Sequence, residues 1–460
     1  MIMIFIITSQ EVWYMKKYDV VVIGGSAAGL TAAITARRHY PNKGILLIRK
    51  EKLVPIPCGI PYIFGTVGGA QNNLIPDTPL EKNSVEILLD EVTEIDRGAK
   101  TLQTKGGEKV DYGKLVLATG SIPMMPPIPG NDKGNVYPVY KDVDQLNEMQ
   151  KTVNASKRVV VIGGGFIGVE VSDEINKIKD LKVTVCELLP HCLQLAFDPE
   201  ICTEAEKVLQ ERGVQIMVDQ KVESIEGNSK AEGVKLANGT VLDADMVIIG
   251  IGTLPNVDIA KNADLRMGST GAIWVDRTMR TSDENIFACG DCAGKFSFFG
   301  GKPSKLMLAS IACSEARIAG ANLFGIQRES VGTIGVFSTA IGDHSFAMAG
   351  MSESFAKGQG YEVMTGSAEG PNRHPGKMPG MANQRVKLIF EKRTKVLIGA
   401  QIMGDKAVGE LINVASACIQ HRMTSNDIAC FQMGTHPALT ASPVVYQFVN
   451  AAESAMLAAS

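Results

Sequence analysis

Two stretches of this chain repeat one pattern. The first is YDVVVIGGSAAGLTAAITARR, Tyr18 to Arg38, and the second is KRVVVIGGGFIGVEVSDEINK, Lys157 to Lys177. Each is a β-branched apolar run, then a glycine turn, then an amphipathic helical segment. Each leads on to another apolar run, ILLIR at 45–49 and KVTVCE at 182–187. A strand, a tight turn and a helix of that length bring the chain back parallel to its start, so each stretch predicts a βαβ unit. Two units predict an α/β protein with two Rossmann-like dinucleotide-binding domains. KLVLATGS at 114–121, ADMVIIGIG at 244–252 and NIFACGDC at 285–292 read as further strands ending in small residues. Beyond about residue 330 the character changes. VGTIGVFSTAIG, RVKLIFEKRTKVLIGAQIMG and the helix-like VGELINVASACIQHRM predict a separate C-terminal α+β domain with an antiparallel sheet. The stretch GSAEGPNRHPGKMPG at 366–380 is rich in Gly and Pro and reads as a loop.

The glycine spacing carries the chemistry. In the second unit Gly163, Gly165 and Gly168 fill all three slots of G-x-G-x-x-G. The first allows the turn, the second lets a pyrophosphate approach the backbone, and the third lets helix pack on strand. The phosphates then meet the free N–H groups and positive dipole end of the helix. Glu187 follows Gly168 by 19 residues, at the end of the next strand. A carboxylate there accepts from a ribose 2′-OH and repels a 2′-phosphate, which favours NADH over NADPH. A plain βαβ unit with incidental glycines is the alternative. In the first unit Gly24 and Gly29 are present and Ser26 takes the middle slot. Arg49 stands 20 residues beyond Gly29, where an acidic residue is expected, with Glu51 nearby as another candidate for the ribose.

Composition narrows the class. A length of 460 residues implies two or three domains, and 45% hydrophobic with 21% charged residues is that of an ordinary soluble protein. A net charge of -3, with lysines and arginines spread along the chain, gives no basic face for nucleic acid. Nine cysteines at irregular spacings argue against a secreted disulfide framework and for a reducing cytoplasm. The opening MIMIFIITSQEVWYMKK is too short in its apolar run to span a bilayer and has no basic region before it, so neither a membrane anchor nor a signal peptide is expected. Met15 opens MKKYDVVVIGG like a natural start, so residues 1–15 read as an N-terminal extension, with an extra edge strand as the alternative.

One cysteine has unusual neighbours. Cys58 lies in VPIPCGIPYIFG, Val54 to Gly65, where flanking prolines limit the backbone. The order GGSAAG, a lone cysteine in C-G-I-P-Y, then ATG, GGGFIGVE and CGD resembles the FAD-dependent pyridine nucleotide–disulfide oxidoreductases over about residues 16–450. The branch it most resembles is that of coenzyme A-disulfide reductase, NADH oxidases, NADH peroxidases and NAD(P)H-dependent persulfide or polysulfide reductases. The resemblance implies an FAD-binding domain over 16–125 and 256–330, an NAD-binding domain over 126–255 and a dimerisation domain over 331–460. It implies a homodimer whose active sites draw on both chains. Members with a redox disulfide carry C-x-x-x-x-C. Here Ile63 stands where the second cysteine would be, so Cys58 matches the branch with a single reacting thiol.

The same resemblance implies a path and a set of roles. NADH delivers hydride to one face of FAD, Cys58 lies against the other, and the regenerated thiolate attacks the next sulfur substrate, a small thiol, disulfide, persulfide or polysulfide. A helix N-terminus after Gly59 and Pro61 is expected to stabilise that thiolate. A buried structural thiol is the alternative for Cys58. Asp291 resembles the aspartate on the ribityl chain, Thr119 and Gly120 the turn over FAD, and Glu170 the glutamate near the nicotinamide. A helix from near Leu308 would aim its N-terminus at the flavin. Cys289 and Cys292 form a C-x-x-C with no further ligands of suitable spacing, so they read as core residues and no metal is expected. Arg37 and Arg38 are candidates for CoA phosphates, or a solvated helix face, and Tyr62 joins them as a substrate-side candidate. The serine and phenylalanine of the CoA branch's S-F-x-x-C are absent before Cys58, and so are its tyrosines, replaced by Lys377-Met378 and by MGTHPALTASP. There His436-Pro437 resembles the H-P motif whose histidine serves the partner's site as acid–base catalyst, although Ala441 stands where an orienting glutamate would be. A surface histidine is the alternative, and His374 is a second candidate. Ala27 and Ala28 occupy the turn where peroxidase and oxidase relatives carry histidine. The reading is therefore an FAD-dependent NADH:disulfide, persulfide or polysulfide oxidoreductase. NADH oxidase is the alternative, with an electron carrier or redox sensor acting on a protein as the reading of another class.

Overall fold

The computed structural model describes residues 16–459, so the expected extension over 1–15 lies outside the described residues. The first glycine turn sits at the centre of a seven-stranded sheet. Strand Lys16–Ile23 pairs in parallel with Ile45–Arg49 on one side and Lys109–Leu117 on the other. Glu86–Leu89 extends one edge, Thr101–Thr104 and Val92–Asp96 the other, and Ile286–Ala288 returns from far along the chain to pair with Lys109–Leu117. Val20, Val21 and Val22 are wholly buried, as a central parallel strand covered on both faces requires. Helix Ala27–His39 buries Ala28, Ala32, Ala33 and Ala36. Small residues let helix Ala309–Asn322 lie close to it: a Cβ on Gly320 would stand 2.6 Å from the Ala32 carbonyl.

The second repeat builds a five-stranded sheet in the order Gln215–Met217, Lys182–Cys186, Arg158–Ile162, Met246–Ile249, Val136–Pro138. All its pairings are parallel. A small antiparallel sheet, Val222–Glu226, Gly233–Leu236 and Val241–Asp243, shares one apolar cluster with its face. The two units are joined by a narrow ribbon, Ser121–Pro123 against Thr253–Pro255. The strand-end segments at 114–121 and 244–252 therefore converge where the chain crosses between the sheets.

The C-terminal unit is a five-stranded antiparallel sheet ordered Val336–Ile341, His344–Gly350, Leu397–Gly404, Asn383–Glu391, Val363–Pro371. Helices Val408–Gln420 and Gln447–Ala459 pack on it. One expectation is corrected here. The stretch 366–380 is not all loop, because strand Val363–Pro371 pairs with Asn383–Glu391 as far as Pro371↔Asn383. Gly366 is there for helix contact rather than for turning: a Cβ would stand 2.1 Å from the Ala451 carbonyl.

An ion cluster locks this sheet to the second unit. Lys387 Nζ lies 3.0 Å from Asp198, 2.6 Å from Glu200 and 2.8 Å from Glu353, with the lysine and Asp198 almost fully buried. Gln401 donates to Asp198 as well. Removing one member of such a cluster leaves a buried charge without compensation. Lys387→Ala is expected to lower the stability by about 3–5 kcal/mol, read as an earlier midpoint in chemical denaturation.

Candidate active site

The two repeats form two turns of the same geometry. Gly24 has φ +115° and Gly163 φ +106°, a region side chains avoid. A Cβ on Gly29 would stand 1.8 Å from the Gly24 carbonyl, and one on Gly168 1.8 Å from that of Gly163. The third glycine in each motif is thus required by the helix lying against its own strand end. The middle position differs. Ser26 and Gly165 both stand at the N-cap in extended backbone, and a Cβ on Gly165 would meet nothing within 4 Å. That open space is why serine is tolerated in the first turn. Neither N-cap residue spends a side chain on its helix, so both N-termini keep their N–H groups for an anion.

The strand ends that follow differ in sign. Glu187 accepts from Gly164 N–H at 2.5 Å and from Leu189 N–H at 2.8 Å, which holds its carboxylate at the rim of the second turn. Arg49 is buried at the first turn and forms a two-point pair with Asp77 at 2.6 and 2.7 Å. Glu51 is half-buried beyond it.

Cys58 is brought to these turns by a kinked segment. It stands in a single 3₁₀ turn, Pro57–Gly59, followed by a second, Pro61–Ile63. Asn73 braces the turn by donating to the Ile56 carbonyl at 2.9 Å, and a Cβ on Gly59 would strike its side chain at 2.0 Å. The expectation of a helix N-terminus behind the thiol is corrected. A one-turn 3₁₀ segment has little aligned dipole, and the Cys58 pKa is raised, not lowered. Burial of the thiol among protein atoms raises it most, and Glu170, Cys313 and Asp291 add to this, while Lys141 opposes. The residue is nonetheless exposed to solvent, with Cys430 the other exposed cysteine among those described.

Around the thiol the structure gathers several of the residues marked in the sequence. Asp291 accepts from Ser121 Oγ at 2.7 Å and lies 3.3 Å from Lys141 Nζ, which also donates to Ser121 at 2.7 Å. Thr119 donates to the Asn256 carbonyl at 2.6 Å and Gly120 turns with φ +71°, tying one interdomain strand to the other. Helix Ala309–Asn322 starts directly after its N-cap Leu308. Glu170 accepts from Thr339 of the C-terminal sheet at 2.8 Å. Tyr62 is half-buried beside Glu170, and its pKa is pushed up to about 12, first by burial and then by that carboxylate. Cys289 and Cys292 are wholly buried beneath Asp291, and Cys292 points at the Leu117 and Cys289 carbonyls. Among the described residues no His/Cys/Asp/Glu group could hold a metal ion.

Other expected residues lie apart from this centre. Arg37 is corrected from a phosphate candidate to a clasp. It donates to the carbonyls of Pro41, Lys43, Asn83 and Ser84 at 2.7–2.9 Å, which consumes four of its five N–H groups. Arg38 beside it is exposed. His436 is exposed in a turn closed by Thr440. His374 packs on the same segment, donating its backbone N–H to Pro437 and placing Nδ1 3.1 Å from the Thr440 carbonyl. The two histidines thus belong to one local structure, the 436–440 turn and the segment packed on it. Lys141, Ser121, Thr339 and Asp77 had no motif to mark them, and only the fold sets them at the site.

The residues fit a dinucleotide at each turn. The first has a side-chain-free approach at Gly24, a helix N-terminus without a cap, and the polar trio Ser121, Lys141 and Asp291 beyond it. The chain matches the family model described as pyridine nucleotide-disulphide oxidoreductase over residues 18–316, and that family's dimerisation domain over residues 336–445. It belongs to this family of FAD-dependent enzymes, and the dimerisation domain supports a homodimer. It is 32% identical to an NADH oxidase of Methanocaldococcus jannaschii, over 89% of this chain and 92% of the relative. It is 30% identical to an NAD(P)H coenzyme A polysulfide/persulfide reductase of Pyrococcus horikoshii, over 90% of this chain and 93% of that one. An NAD-dependent persulfide reductase from A. fulgidus has a similar solved structure, with TM-score 0.88 and 33% identity, over 95% of this chain and 83% of that chain. Among the described residues no helix is long and apolar enough to cross a membrane.

Glu170 gives the site a measurable pH signature. Burial lifts its pKa from 4.5 to about 7, against the Thr339 hydrogen bond, and Glu174 adds to the rise. Between these values the unfolded chain releases a proton that the folded chain keeps. The contribution to stability is therefore whole below pH 4.5 and is lost as pH rises through 7. Glu170→Gln should be more stable than the parent by about 3 kcal/mol at pH 8 and equal to it near pH 4.5, measured by denaturant unfolding of the flavin-free protein. A difference that does not change with pH would refute the buried acid.

Proposed function

We propose that this enzyme reduces the sulfur–sulfur bond of a disulfide, persulfide or polysulfide with electrons from NADH, and that Cys58 is the reacting thiol. The carrying observation is the position of Cys58. It is an exposed cysteine on a braced turn, within the field of Glu170 and Lys141 of the second dinucleotide unit and of Asp291 of the first. FAD, when bound, supplies the passage of two electrons from nicotinamide to sulfur. The chain's own groups do the rest. The Cys58 thiolate attacks one sulfur of the substrate, the sulfur–sulfur bond breaks, and the departing thiolate takes a proton. Two electrons from NADH then cleave the bond between Cys58 and the substrate sulfur, which restores the Cys58 thiolate and releases the bound sulfur as a second thiolate or as sulfide. Lys141 is the cation that offsets the surrounding carboxylates and favours ionised Cys58. Exposed His436, offered to the partner subunit's site, is the proton donor for the leaving thiolate.

Two observations favour sulfur over oxygen as the acceptor. Ala27 and Ala28 in the first turn offer no imidazole to protonate a peroxide. Relatives that span nearly the whole chain are named as persulfide and polysulfide reductases. Recognition of a CoA-linked sulfur falls to Arg38, since Arg37 is already engaged. Glu187 makes NADH the preferred donor by meeting the ribose diol and repelling a 2′-phosphate.

Cys58→Ser should abolish anaerobic NADH consumption with polysulfide, CoA disulfide or CoA persulfide, while bleaching of the flavin by NADH persists. Full sulfur activity in that variant would remove Cys58 from the mechanism, and turnover with oxygen alone would favour the oxidase reading. The preference for NADH over NADPH in kcat/KM should shrink by about tenfold in Glu187→Ser. An unchanged ratio would mean that Glu187 does not read the ribose.

A further inference from the structure

The two repeats allow one site to be read against the other. In the second, the residue at the strand end is Glu187, and its carboxylate touches the glycine turn: a Cβ on Gly164 would stand 3.0 Å from Glu187 Oε2. In the first, the matching contact is made by Arg49, whose Cδ would stand 2.4 Å from a Cβ on Gly25. The stem of Arg49 therefore fills the place where a carboxylate would stand. Its side chain is 3% exposed, and its guanidinium is carried beyond the turn to Asp77. Both terminal nitrogens are spent there, at 2.6 and 2.7 Å, and Nε is buried with no partner. Asp77 is the member that faces outward, with its side chain 36% exposed. A carboxylate has about four acceptor positions, and Arg49 uses two.

We infer that Asp77, held in place by Arg49, is the carboxylate that accepts the hydroxyl hydrogens of the adenosine ribose at the first dinucleotide site. The acidic residue missing from the strand end is supplied by a different segment and set one arginine length outward. Arg49 is then a positioning residue. A buried guanidinium is costly unless paired, so the two-point pair holds the carboxylate in one orientation. This rests on the reading of the first turn as the FAD site.

The test is binding by the flavin-stripped protein, measured by flavin fluorescence and by calorimetry with FAD, FMN and ADP. Asp77→Asn should weaken FAD and ADP by about tenfold and leave FMN, which lacks the adenosine, unchanged. Glu51→Gln should change none of the three. Because Asp77→Asn leaves a buried arginine unpaired and could unfold the chain, a second variant, Arg49→Glu with Asp77→Ser, returns the carboxylate to the strand end. It should bind FAD and ADP within about threefold of the parent. The inference is overturned if Asp77→Asn binds ADP like the parent, if FMN weakens in parallel, if the folded double variant loses ADP, or if Glu51→Gln is the variant that loses it. A parent that binds no flavin would instead refute the assignment of the first site.

Discussion

The close approach of helix to strand at the two glycine turns is the constraint on which the rest of the molecule depends. Gly29 and Gly168 each lie where a single methyl would collide with a carbonyl of the same turn. Because they do not, both helices start at their strand ends with N–H groups open, and both can meet a pyrophosphate. Everything chemical is placed relative to those turns. Ser121–Pro123 and Thr253–Pro255 cross between the sheets beside them, bringing Thr119, Gly120 and Ser121 under the same roof as Asp291. The closing helix Ala309–Asn322 packs on Ala27–His39 through alanines and glycine, and so carries its own N-terminus to the same place.

Around this frame, charge is arranged with opposite signs on opposing elements. Cys58 is held by prolines and by Asn73, in a setting that burial and carboxylates make unfavourable for a thiolate, and Lys141 offsets them. Glu170, whose charge is felt at Cys58, keeps its proton near neutrality because burial outweighs the hydrogen bond from Thr339. That bond comes from the C-terminal sheet, which is fixed to the second unit by Lys387 and its three carboxylates. The dimerisation domain is thus coupled to the second dinucleotide unit through two polar contacts, the Thr339–Glu170 hydrogen bond and the Lys387 cluster.

Much of this was legible before the fold was known, and the misses share one cause. The βαβ repeats, the glycine slots, the helix after Leu308 and the change to an antiparallel sheet near residue 330 are all local patterns of period or spacing, and the structure contains them. Arg37 stands in the sequence as a candidate for CoA phosphates or as part of a solvated helix face, because a basic pair on a helix end is locally no different from a clasp. Two of its four carbonyl partners, Asn83 and Ser84, come from a loop that is distant in the sequence. Gly366 and Gly370 looked like loop glycines, while the helix that needs Gly366 bare arrives some eighty residues later. The dipole expected behind Cys58 failed because prolines that rigidify a turn also stop it from becoming a helix.

By itself the sequence determined that the chain carries two glycine turns of the dinucleotide-binding kind, and that Cys58 has no cysteine partner in its own motif. Those are matters of residue type at fixed spacing, and short-range sterics enforce them. Only the tertiary structure decided which side chains share that thiol's field. Lys141, Ser121 and Thr339 belong to no motif and reach the site because three sheets meet there. It also decided what Arg49 does. An arginine at a strand end has no meaning in the sequence until Asp77, from another segment, is found to hold it, and charge pairing across a fold is a property that no local pattern records.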